Sequence, residues 1–381
     1  MVLEATFILA ASLLMYHYVL YPALVVGLAH LVRPRTAVET ATWPRVSFVI
    51  AAYNEERVIA AKLRNTLELD YPRNSLEIIV ASDGSDDTTA AIVGAFNVQG
   101  VVSLHHAHRR GKTAALNRAL ERATGEIVVF SDANNDFSAN ALRRLVQHFA
   151  DPRVGGVCGA KRIRPVAGRQ SSLGDGLYWR YESMLKLAES RLGTIAGADG
   201  EIFAIRRNLF RSVPEYIIND DAQITLDIVR QGYSVRYEPE AHSYELASIN
   251  IRDDVQVKIR MVAGGFQTLV ENARTLFPLR SWFAWAFFSH KTLRWLAPIF
   301  LIAALVSSAA LATRPPYLAA FAAQVAFYGT AFAGYWRIDR GALPTVVYVP
   351  FYFTAMNWAA LLGLLRFLRR SQSVQWRKAR R

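Results

Sequence analysis

The sequence predicts an α/β domain built on a mostly parallel sheet, placed between apolar segments long enough to cross a membrane. Between residues 44 and 279, apolar runs of strand length alternate with segments of helical periodicity, which is typical of a parallel sheet covered by helices. Before and after this region the chain contains long apolar runs, and roughly 20 such residues span a bilayer. We therefore expect an α/β fold flanked by transmembrane and interfacial helices.

The composition agrees with a protein that is partly embedded in a membrane. Of 381 residues, 52% are apolar and 20% are charged, which is too apolar for an ordinary soluble protein and too charged for membrane helices alone. The formal net charge is +13. The basic residues cluster at the membrane flanks, where they indicate anionic lipid as the partner and not nucleic acid. The single cysteine, Cys158, excludes an internal disulfide and is interpreted as a core residue.

The first segment, residues 1–43, is interpreted as a retained membrane anchor. Its apolar run is interrupted by Glu4 and His17 and is followed by Arg33 and Arg35. A cleaved signal peptide begins with positive charges, whereas here the acid comes first. The basic flank after the anchor predicts that the next domain lies in the cytoplasm.

Residues 44–279 contain the predicted α/β domain. VSFVIAA (46–52) and LEIIVAS (76–82) are predicted strands, followed by helical patterns over 55–67 and 86–96. The run VVSLHHA precedes the helix of GKTAALNRALERA, and EIVVF is the next strand. Near-continuous apolar runs indicate strands that are buried on both faces. Asp86 is expected to cap the second helix.

Residues 280–381 return to membrane character. Residues 281–295 mix aromatic side chains with basic ones, which favours a helix in the membrane interface. Three spans are predicted after it, at Leu296–Thr313, Tyr317–Tyr335 and Leu343–Leu365, and a basic tail covers 366–381.

This count of spans conflicts with the charge of the tail. With the α/β domain inside, three later spans place the tail outside, although the positive-inside rule favours a basic segment inside. One segment is therefore expected to be re-entrant or interfacial. The last segment is the candidate, because it contains Pro344 and Pro350.

Polar side chains recur where the predicted strands end. Tyr53 and Glu55 follow the first strand, Asp83 ends the second, and Asp132 and Asn134 follow EIVVF. Turn chemistry explains one such loop, but it explains three loops on one sheet edge less well. Ligands bind at the carboxyl ends of parallel strands, so these residues are expected in one site. Asp132-Ala-Asn134 offers oxygen ligands for Mg²⁺ or Mn²⁺, shared with a phosphate.

Two further segments carry charges that suit a phosphate and a proton transfer. Lys112 begins a helix after Arg109 and Arg110, and basic side chains at a helix N-terminus suit an anion. Asp220 and Asp221 begin an amphipathic helix. Such acids stabilise the helix dipole, but a positioned carboxylate also takes a proton from a hydroxyl nucleophile.

Lys258 and Arg260 lie on a later helix of the same region. They are expected either to neutralise a leaving diphosphate or to form a basic face at the membrane.

Six motifs occur in an order that resembles the membrane-embedded glycosyltransferase family 2 enzymes. They are YNEE, SDGSDDTT, RGKTAALN, FSDANN, NDDA and KIRMVAGG. The resemblance covers roughly residues 44–279, and it includes cellulose, hyaluronan, chitin and poly-N-acetylglucosamine synthases. It implies a GT-A fold, which is Rossmann-like, together with a nucleotide-sugar donor, usually linked to UDP, and Mg²⁺ or Mn²⁺.

The resemblance also implies roles by position. Asp83 matches the acid that holds the nucleotide, and Asp132 and Asn134 match the Asp-x-Asp motif that contacts the diphosphate and the metal. Asp221 matches the general base and follows Asp220.

The remaining donor-site residues are implied in the same way. Lys258 and Arg260 match the basic positions of the Gln-x-x-Arg-Trp motif. Tyr53, Glu55 and Lys112 are expected to bind the nucleotide-sugar with them.

The chain departs from the family pattern at three positions. Asn134 replaces the second acid of the metal motif, and Asp220 stands where Glu is usual. Met261 stands where Trp is usual, which puts processivity and a cellulose-like acceptor in doubt. For the acceptor, Trp179 is expected to stack on sugar rings, and Gly197 and Asp199 match the region that shapes the acceptor pocket.

The predicted function is inverting transfer of a hexosyl or N-acetylhexosaminyl group to a growing polysaccharide at the inner (plasma) membrane. The alternative is addition of one or a few sugars to a lipid-linked acceptor. A membrane-anchored scaffold is a third reading, against which the set Asp83, Asp132 and Asp221 argues. Because about four spans make a small bundle, a polymer-forming enzyme is expected to need a homo-oligomer or an export partner.

Overall fold

The computed structural model describes residues 1–33, 43–164, 171–246, 250–338 and 343–375. Arg35 of the expected basic flank and residues 376–381 of the basic tail lie outside the described residues.

Eight strands form one sheet. They are β1 (Val46–Ala52), β2 (Leu76–Asp83), β3 (Val101–His106), β4 (Ile127–Asp132), β5 (Asp136–Phe137), β6 (Val154–Arg164), β7 (Phe203–Arg206) and β8 (Ser234–Leu246). Their order is β3-β2-β1-β4-β7-β6-β8-β5. The strands β1 to β4 pair in parallel, whereas β7 runs antiparallel to both β4 and β6. The predicted α/β sheet is confirmed, and its antiparallel strands lie in the half that follows EIVVF.

Fourteen α-helices are found in the described residues. Those of the α/β region are α3 (Ile59–Leu67), α4 (Thr89–Ala95), α5 (Lys112–Arg122), α6 (Ala141–Val146), α7 (Ser171–Leu192), α8 (Asp220–Arg230), α9 (Ile251–Glu271) and α10 (Ala273–Leu276). Those of the apolar segments are α1 (Val2–Met15), α2 (Tyr21–Leu31), α11 (Trp282–Ala286), α12 (Leu293–Ala310), α13 (Pro315–Arg337) and α14 (Thr345–Leu368).

The first two helices of the domain begin later than the sequence predicted. The loops before α3 and α4 bind each other: Asn54 Nδ2 donates to Asp86 Oδ1 at 2.6 Å, and Thr88 Oγ1 donates to Glu56 Oε2 at 2.8 Å. These side chains hold the two loops together and do not start the helices. The prediction that Asp86 caps α4 is therefore wrong.

The sheet is covered on both faces. Adjacent residues of β1 point in opposite directions, so Phe48 and Val49 enter separate buried clusters. Phe48 packs with Ile59 and Leu63 of α3. Val49 lies in the cluster that receives Leu116 of α5. Burial on both faces explains why these strands read as near-continuous apolar runs.

By length and mean hydropathy, three helical stretches of the described residues could cross a membrane. They are Val2–Leu31, Trp282–Ala310 and Thr345–Leu368. The predicted span Tyr317–Tyr335 lies within α13 and is not among them. The segment 281–295, expected as a separate interfacial helix, is continuous with α12 through a π-helical turn. Its charges face the protein: Glu182 of α7 binds Lys291 at 3.0 Å and also binds Arg294.

The helix α13 runs between the two ends of the apolar bundle. Near its start, Tyr317 contacts Phe7 of α1 with the ring centroids 5.3 Å apart. Arg314, just before it, pairs with Glu4. Just after its end, Ile338 packs in a cluster with Ile251 of α9. The helix α13 therefore reaches from the N-terminal end of α1 to the α/β domain.

Both ends of α14 lie against the α/β domain. Tyr348, near its start, packs in the same cluster as Ile251. At its other end, a Cβ on Gly363 would meet the Ile259 carbonyl oxygen at 2.8 Å. Because both contacts are with α9, α14 runs alongside that helix. That the last apolar segment lies in the interface stays a prediction, since Thr345–Leu368 is also long and apolar enough to cross a membrane.

Candidate active site

A cavity of about 1510 Å³ opens at the carboxyl ends of the parallel strands. The register places Ala51 beside Asp132 and Ala52 beside Ser82, so the first, second and fourth strands end at one edge. The predicted site residues other than Gly197 all line this cavity. They are Tyr53, Glu55, Asp83, Lys112, Asp132, Asn134, Trp179, Asp199, Asp220, Asp221, Lys258 and Arg260.

Lys112 binds Asp132 inside the cavity. Its Nζ lies 2.6 Å from Asp132 Oδ1, and it is the first residue of α5. Burial lowers the pKa of Lys112, but the carboxylates of Asp132 and Asp220 more than offset this effect and the pKa is raised. Lys112 is therefore a fixed cation at the position where the sequence predicted a phosphate.

Asp221 is oriented by backbone amides at the start of α8. Its Oδ1 accepts from Ala222 N at 2.7 Å, and its Oδ2 accepts from Gly200 N at 3.1 Å. Burial and the neighbouring Asp220 carboxylate raise its pKa to about 6. A carboxylate with a pKa near neutrality suits a general base.

Asp83 organises the loop that precedes α5. Its Oδ2 accepts from the backbone amides of Arg110 at 2.9 Å and Gly111 at 2.6 Å, and Arg118 binds its Oδ1 at 3.3 Å. Gly84 has φ +67°, and a Cβ there would lie 2.4 Å from Arg109 N. The motif S-D-G therefore brings the basic loop to the end of β2.

The two basic residues of α9 point to different parts of the cavity. Burial lowers the pKa of Arg260, while Asp220, Asp221 and Asp132 oppose that shift, so this guanidinium lies in the field of all three acids. Lys258 instead lies 4.9 Å from the centre of the Tyr178 ring. The structure thus brings Arg260 to the acidic cluster and directs Lys258 towards α7.

Two adjacent glycines let α9 approach the site. A Cβ on Gly264 would lie 2.5 Å from Asn219 Oδ1, and one on Gly265 would lie 2.5 Å from the Trp295 ring. Asn219 also donates to the Met261 carbonyl at 2.9 Å. The glycine pair of MVAGG therefore clamps α9 between the loop before Asp220 and α12.

Asn134 is held by a buried acid that the sequence did not reveal. Its Nδ2 donates to Glu245 Oε1 of β8 at 3.0 Å. Glu245 and Glu201 both pair with Lys161. These residues are more than 25 positions away from one another in sequence, and β6 and β8 bring Lys161 and Glu245 together through parallel pairing.

The part of the cavity beside the end of β1 has an aromatic wall. The Arg109 guanidinium carbon lies 3.7 Å from the centre of the Tyr53 ring. Glu55 donates its backbone amide to Thr89 Oγ1 at 2.7 Å, which fixes the loop after β1. Gln375 of the C-terminal segment donates to the Arg109 carbonyl at 2.9 Å. The C-terminal segment therefore reaches the same side of the domain.

Two of the three residues predicted for the acceptor line the cavity. Trp179 lines the cavity, with Lys161 Nζ 5.1 Å from its ring centre. Asp199 Oδ2 binds the buried Lys186 at 2.5 Å. Gly197 is not a lining residue; a Cβ there would meet Lys291 Cε at 3.5 Å.

The donor set fits a divalent cation that is shared with a phosphorylated ligand. Among the described residues, no group of three His, Cys, Asp or Glu side chains could hold a metal by itself. Asp132 nevertheless presents a carboxylate at the cavity, with 35% of its side chain exposed. Mg²⁺ and Mn²⁺ are commonly bound by one or two carboxylates, with phosphate oxygens and water as the other ligands.

Comparisons with known proteins agree with this geometry. The model of Glycosyl transferase family 2 matches residues 47–213. The chain is 28% identical over 235 residues to the poly-beta-1,6-N-acetyl-D-glucosamine synthase of Staphylococcus epidermidis, and 26% identical to that of Staphylococcus aureus strain COL. Each match covers 60% of this chain and 56% of the relative. The match therefore spans little more than half the length of these curated relatives.

One solved structure is similar over nearly the whole chain. It is the mannosyltransferase PcManGT from Pyrobaculum calidifontis in complex with GDP-Man and Mn²⁺, at 27% identity and a TM-score of 0.75. The similarity covers 97% of this chain and 99% of that one. The expected GT-A fold is confirmed.

Proposed function

We propose that this chain, which carries a glycosyl transferase family 2 domain of GT-A fold, is an inverting, nucleotide-sugar-dependent glycosyltransferase of a membrane. The observation that carries this proposal is the position of Asp221. Its carboxylate is oriented by two amides, has a pKa raised to about 6, and lines the same cavity as Asp132 and Lys112.

Asp221 acts as the general base. An acceptor hydroxyl gives its proton to the carboxylate while the hydroxyl oxygen attacks the anomeric carbon of the donor sugar. The bond between that carbon and the diphosphate oxygen breaks, and the electron pair leaves with the nucleoside diphosphate. A single displacement of this kind inverts the anomeric configuration.

The cationic side of the cavity stabilises the leaving diphosphate. Lys112 and Arg260 face the acids from α5 and α9, and fixed cations act strongly where negative charge develops. Asp132, with Asn134, would hold Mg²⁺ or Mn²⁺, which supplies Lewis-acid stabilisation of the diphosphate when bound. Asp83 positions the loop that carries Lys112.

The donor is a diphosphate-linked hexose or N-acetylhexosamine. The relatives support this class: the staphylococcal enzymes are named for N-acetyl-D-glucosamine polymers, and PcManGT was solved with GDP-Man. The nucleobase would meet Tyr53 and Arg109, which stack at 3.7 Å.

The domain boundaries follow the functions of the segments. Residues 1–43 anchor the chain, 44–279 form the catalytic domain, and 280–381 form the membrane segments and the tail. We assign α1–α2 and α11–α12 as spans. We add α13, although it is not one of the three stretches above, because Arg314 before it pairs with Glu4 at the far end of α1 and Ile338 after it packs with Ile251 of α9. We assign α14 to the interface because it runs alongside α9, although it is apolar enough to cross. The catalytic domain and the tail are then both cytoplasmic, as the positive-inside rule favours.

Two acceptors are compatible with this chemistry, and the product length separates them. The poly-N-acetylglucosamine relatives favour extension of a polysaccharide, with a homo-oligomer or an export partner. Met261, in place of the usual Trp, favours addition of one or a few sugars to a lipid-linked acceptor.

Purified protein in detergent tests the donor and the metal. A panel of UDP- and GDP-sugars is incubated with Mn²⁺, Mg²⁺ or a chelator, and both binding of the donor and release of the nucleoside diphosphate are measured. We expect release from one donor class with either metal and loss of release with the chelator. Binding of no nucleotide-sugar in any condition would refute the proposal.

A further inference from the structure

The cavity extends beyond the acidic cluster into the apolar helices. Besides the donor-site residues, it is lined by Tyr18, Tyr178, Tyr181, Arg294, Trp295, Val349, Tyr352, Phe353, Met356 and Asn357. At about 1510 Å³ it exceeds the roughly 300–1,000 Å³ of an ordinary ligand pocket. The cavity is therefore larger than a donor sugar nucleotide alone requires, and its apolar part is built from membrane-segment residues.

Two cations from different helices meet at Tyr178. Lys258 Nζ of α9 lies 4.9 Å from the ring centre, and the Arg294 guanidinium of α12 lies 5.7 Å from it. Arg294 Nη1 also lies 3.3 Å from the Tyr178 hydroxyl. Lys258 forms no ion pair with a carboxylate of the described residues. Two converging cations, with one unneutralised, form an attractive site for an anion.

Arg294 retains an unused donor. Its Nη1 binds Glu182, but its Nη2 is buried and makes no hydrogen bond with the described residues. A buried guanidinium nitrogen without a partner is costly. A phosphate oxygen in the cavity would satisfy it.

A second, apolar pocket shares part of its wall with the large cavity. It has a volume of about 400 Å³ and is lined by Leu301, Ala323, Gln324, Phe327, Tyr328, Val349 and Phe353. Val349 and Phe353 of α14 line both cavities. The pocket lies between α12, α13 and α14, where the surroundings suit a hydrocarbon chain and not a hydrated sugar.

We propose that the acceptor is a lipid-linked sugar: a long hydrocarbon chain in the pocket between α12, α13 and α14, joined by a phosphate held at Arg294 and Lys258 to a sugar whose hydroxyl reaches Asp221. This inference rests on the proposed transferase function and selects between its two acceptors. It assigns one part of the acceptor to each of three regions: the chain to the apolar pocket, the phosphate to the paired cations, and the sugar to the part of the large cavity that Asp221 lines.

The acceptor chemistry is tested with three synthetic probes on the full chain in detergent. They carry the same sugar on phytanyl diphosphate, on phytanol without a phosphate, and on a water-soluble alkyl group. We expect at least tenfold higher kcat/KM for the phytanyl diphosphate probe than for either of the others. Equal transfer to the water-soluble probe would overturn the proposal.

Two variants separate the phosphate site from the chain site, each with a matched control. Arg294→Gln should raise the KM for the phytanyl diphosphate probe at least tenfold, whereas Arg314→Gln at the far end of the bundle should not. Val349→Trp fills the apolar pocket and should also raise the KM for the phytanyl diphosphate probe at least tenfold. Val306→Trp, on an exposed face of α12, should leave that KM unchanged. An unchanged KM in Val349→Trp would contradict the chain site even if Arg294→Gln failed to fold.

A readout without turnover completes the test. A diazirine-bearing phytanyl phosphate should crosslink to α13 or α14, and phytanyl phosphate should compete better than phytanol. Crosslinking that ordinary phospholipid displaces equally well would overturn the proposal. Donor binding measured on the same samples distinguishes the two failures: lost donor binding refutes the transferase function, whereas retained donor binding without lipid preference refutes this inference alone.

Discussion

Lys112 Nζ lies 2.6 Å from Asp132 Oδ1, at the carboxyl edge of the sheet. The pair places a permanent cation beside the acid expected to share a metal with the donor diphosphate. A bound diphosphate would attract both the metal and Lys112. We therefore expect Lys112 to bind the leaving diphosphate and not to compete with the metal for Asp132.

Replacing Lys112 should therefore weaken donor use. Lys112→Met removes one charge-assisted hydrogen bond, worth about 1.5–3 kcal/mol, and kcat/KM for the donor should fall about 10- to 100-fold. Initial rates of nucleoside diphosphate release measure this loss. Arg122→Met, an exposed cation at the end of the same helix, is the control. Activity that is unchanged in Lys112→Met would place the diphosphate elsewhere.

The pH dependence of transfer should follow Asp221. Its pKa is raised to about 6 by burial and by Asp220, and the base acts only when ionised. The kcat/KM value should therefore fall as the pH drops through about 6. Asp220→Asn removes the neighbouring negative charge, so ionisation of Asp221 becomes easier and the midpoint should move to lower pH. A midpoint that stays fixed or rises in this variant would contradict the assignment.

Asn134 should resist conversion to the acid that the family pattern contains. Asn134 donates a hydrogen bond to Glu245, and Glu245 is only 4% exposed. The substitution Asn134→Asp therefore replaces this hydrogen bond by two carboxylates that face each other. We expect a loss of about 1–3 kcal/mol of stability, seen as a lower Tm in detergent. The double variant Asn134→Asp/Glu245→Gln should recover most of that loss. If the single variant is as stable as the parent, Glu245 does not determine the residue at this position.

The glycine pair of α9 should be required for activity. Gly264→Ala places a Cβ 2.5 Å from Asn219 Oδ1, and overpacking of this kind costs about 1–3 kcal/mol. Because α9 carries Arg260 over the acids, displacement of α9 should lower kcat by a larger factor than it lowers the affinity for the donor. Gly329→Ala meets nothing within 4 Å and should leave both unchanged. Equal activity of the two variants would show that α9 adapts without a functional cost.

The position of α14 is tested by accessibility. The native Cys158 is buried, so cysteines introduced elsewhere report on their own surroundings. Ser371→Cys after α14 and Ala312→Cys after α12 should be labelled by an impermeant maleimide from opposite sides of the membrane, with Ser371→Cys on the side of the catalytic domain. Labelling of both from one side would require α14 to cross.

Much of the fold was predictable because the strands are buried on both faces. The runs VSFVIAA and EIVVF lie in β1 and β4, and their ends place Asp132 at the predicted edge. The helix starts were less predictable, because Asn54 and Asp86 bind each other across two loops. Neither loop sequence by itself indicates that Asn54 and Asp86 bind each other.

The site was predicted where local motifs carry it and missed where the fold brings distant residues together. Lys112, Asp132 and Asp221 lie in short motifs and line one cavity. Glu245 and Arg294 belong to no such motif, and their position depends on the pairing of β8 with β6 and on the packing of α12 against α7. The charges of residues 281–295 suggested a membrane interface, but Lys291 and Arg294 both bind Glu182 inside the protein.

The most direct test of the account is a comparison of Asp221→Asn with Asp227→Asn, which changes another acid of the same helix. Donor affinity and transfer are measured on both, with the acceptor at saturation. The account predicts that Asp221→Asn binds the donor within a few-fold of the parent but transfers about 100- to 10,000-fold more slowly, while Asp227→Asn behaves as the parent does. Transfer at the parental rate by Asp221→Asn would contradict the assignment of the general base.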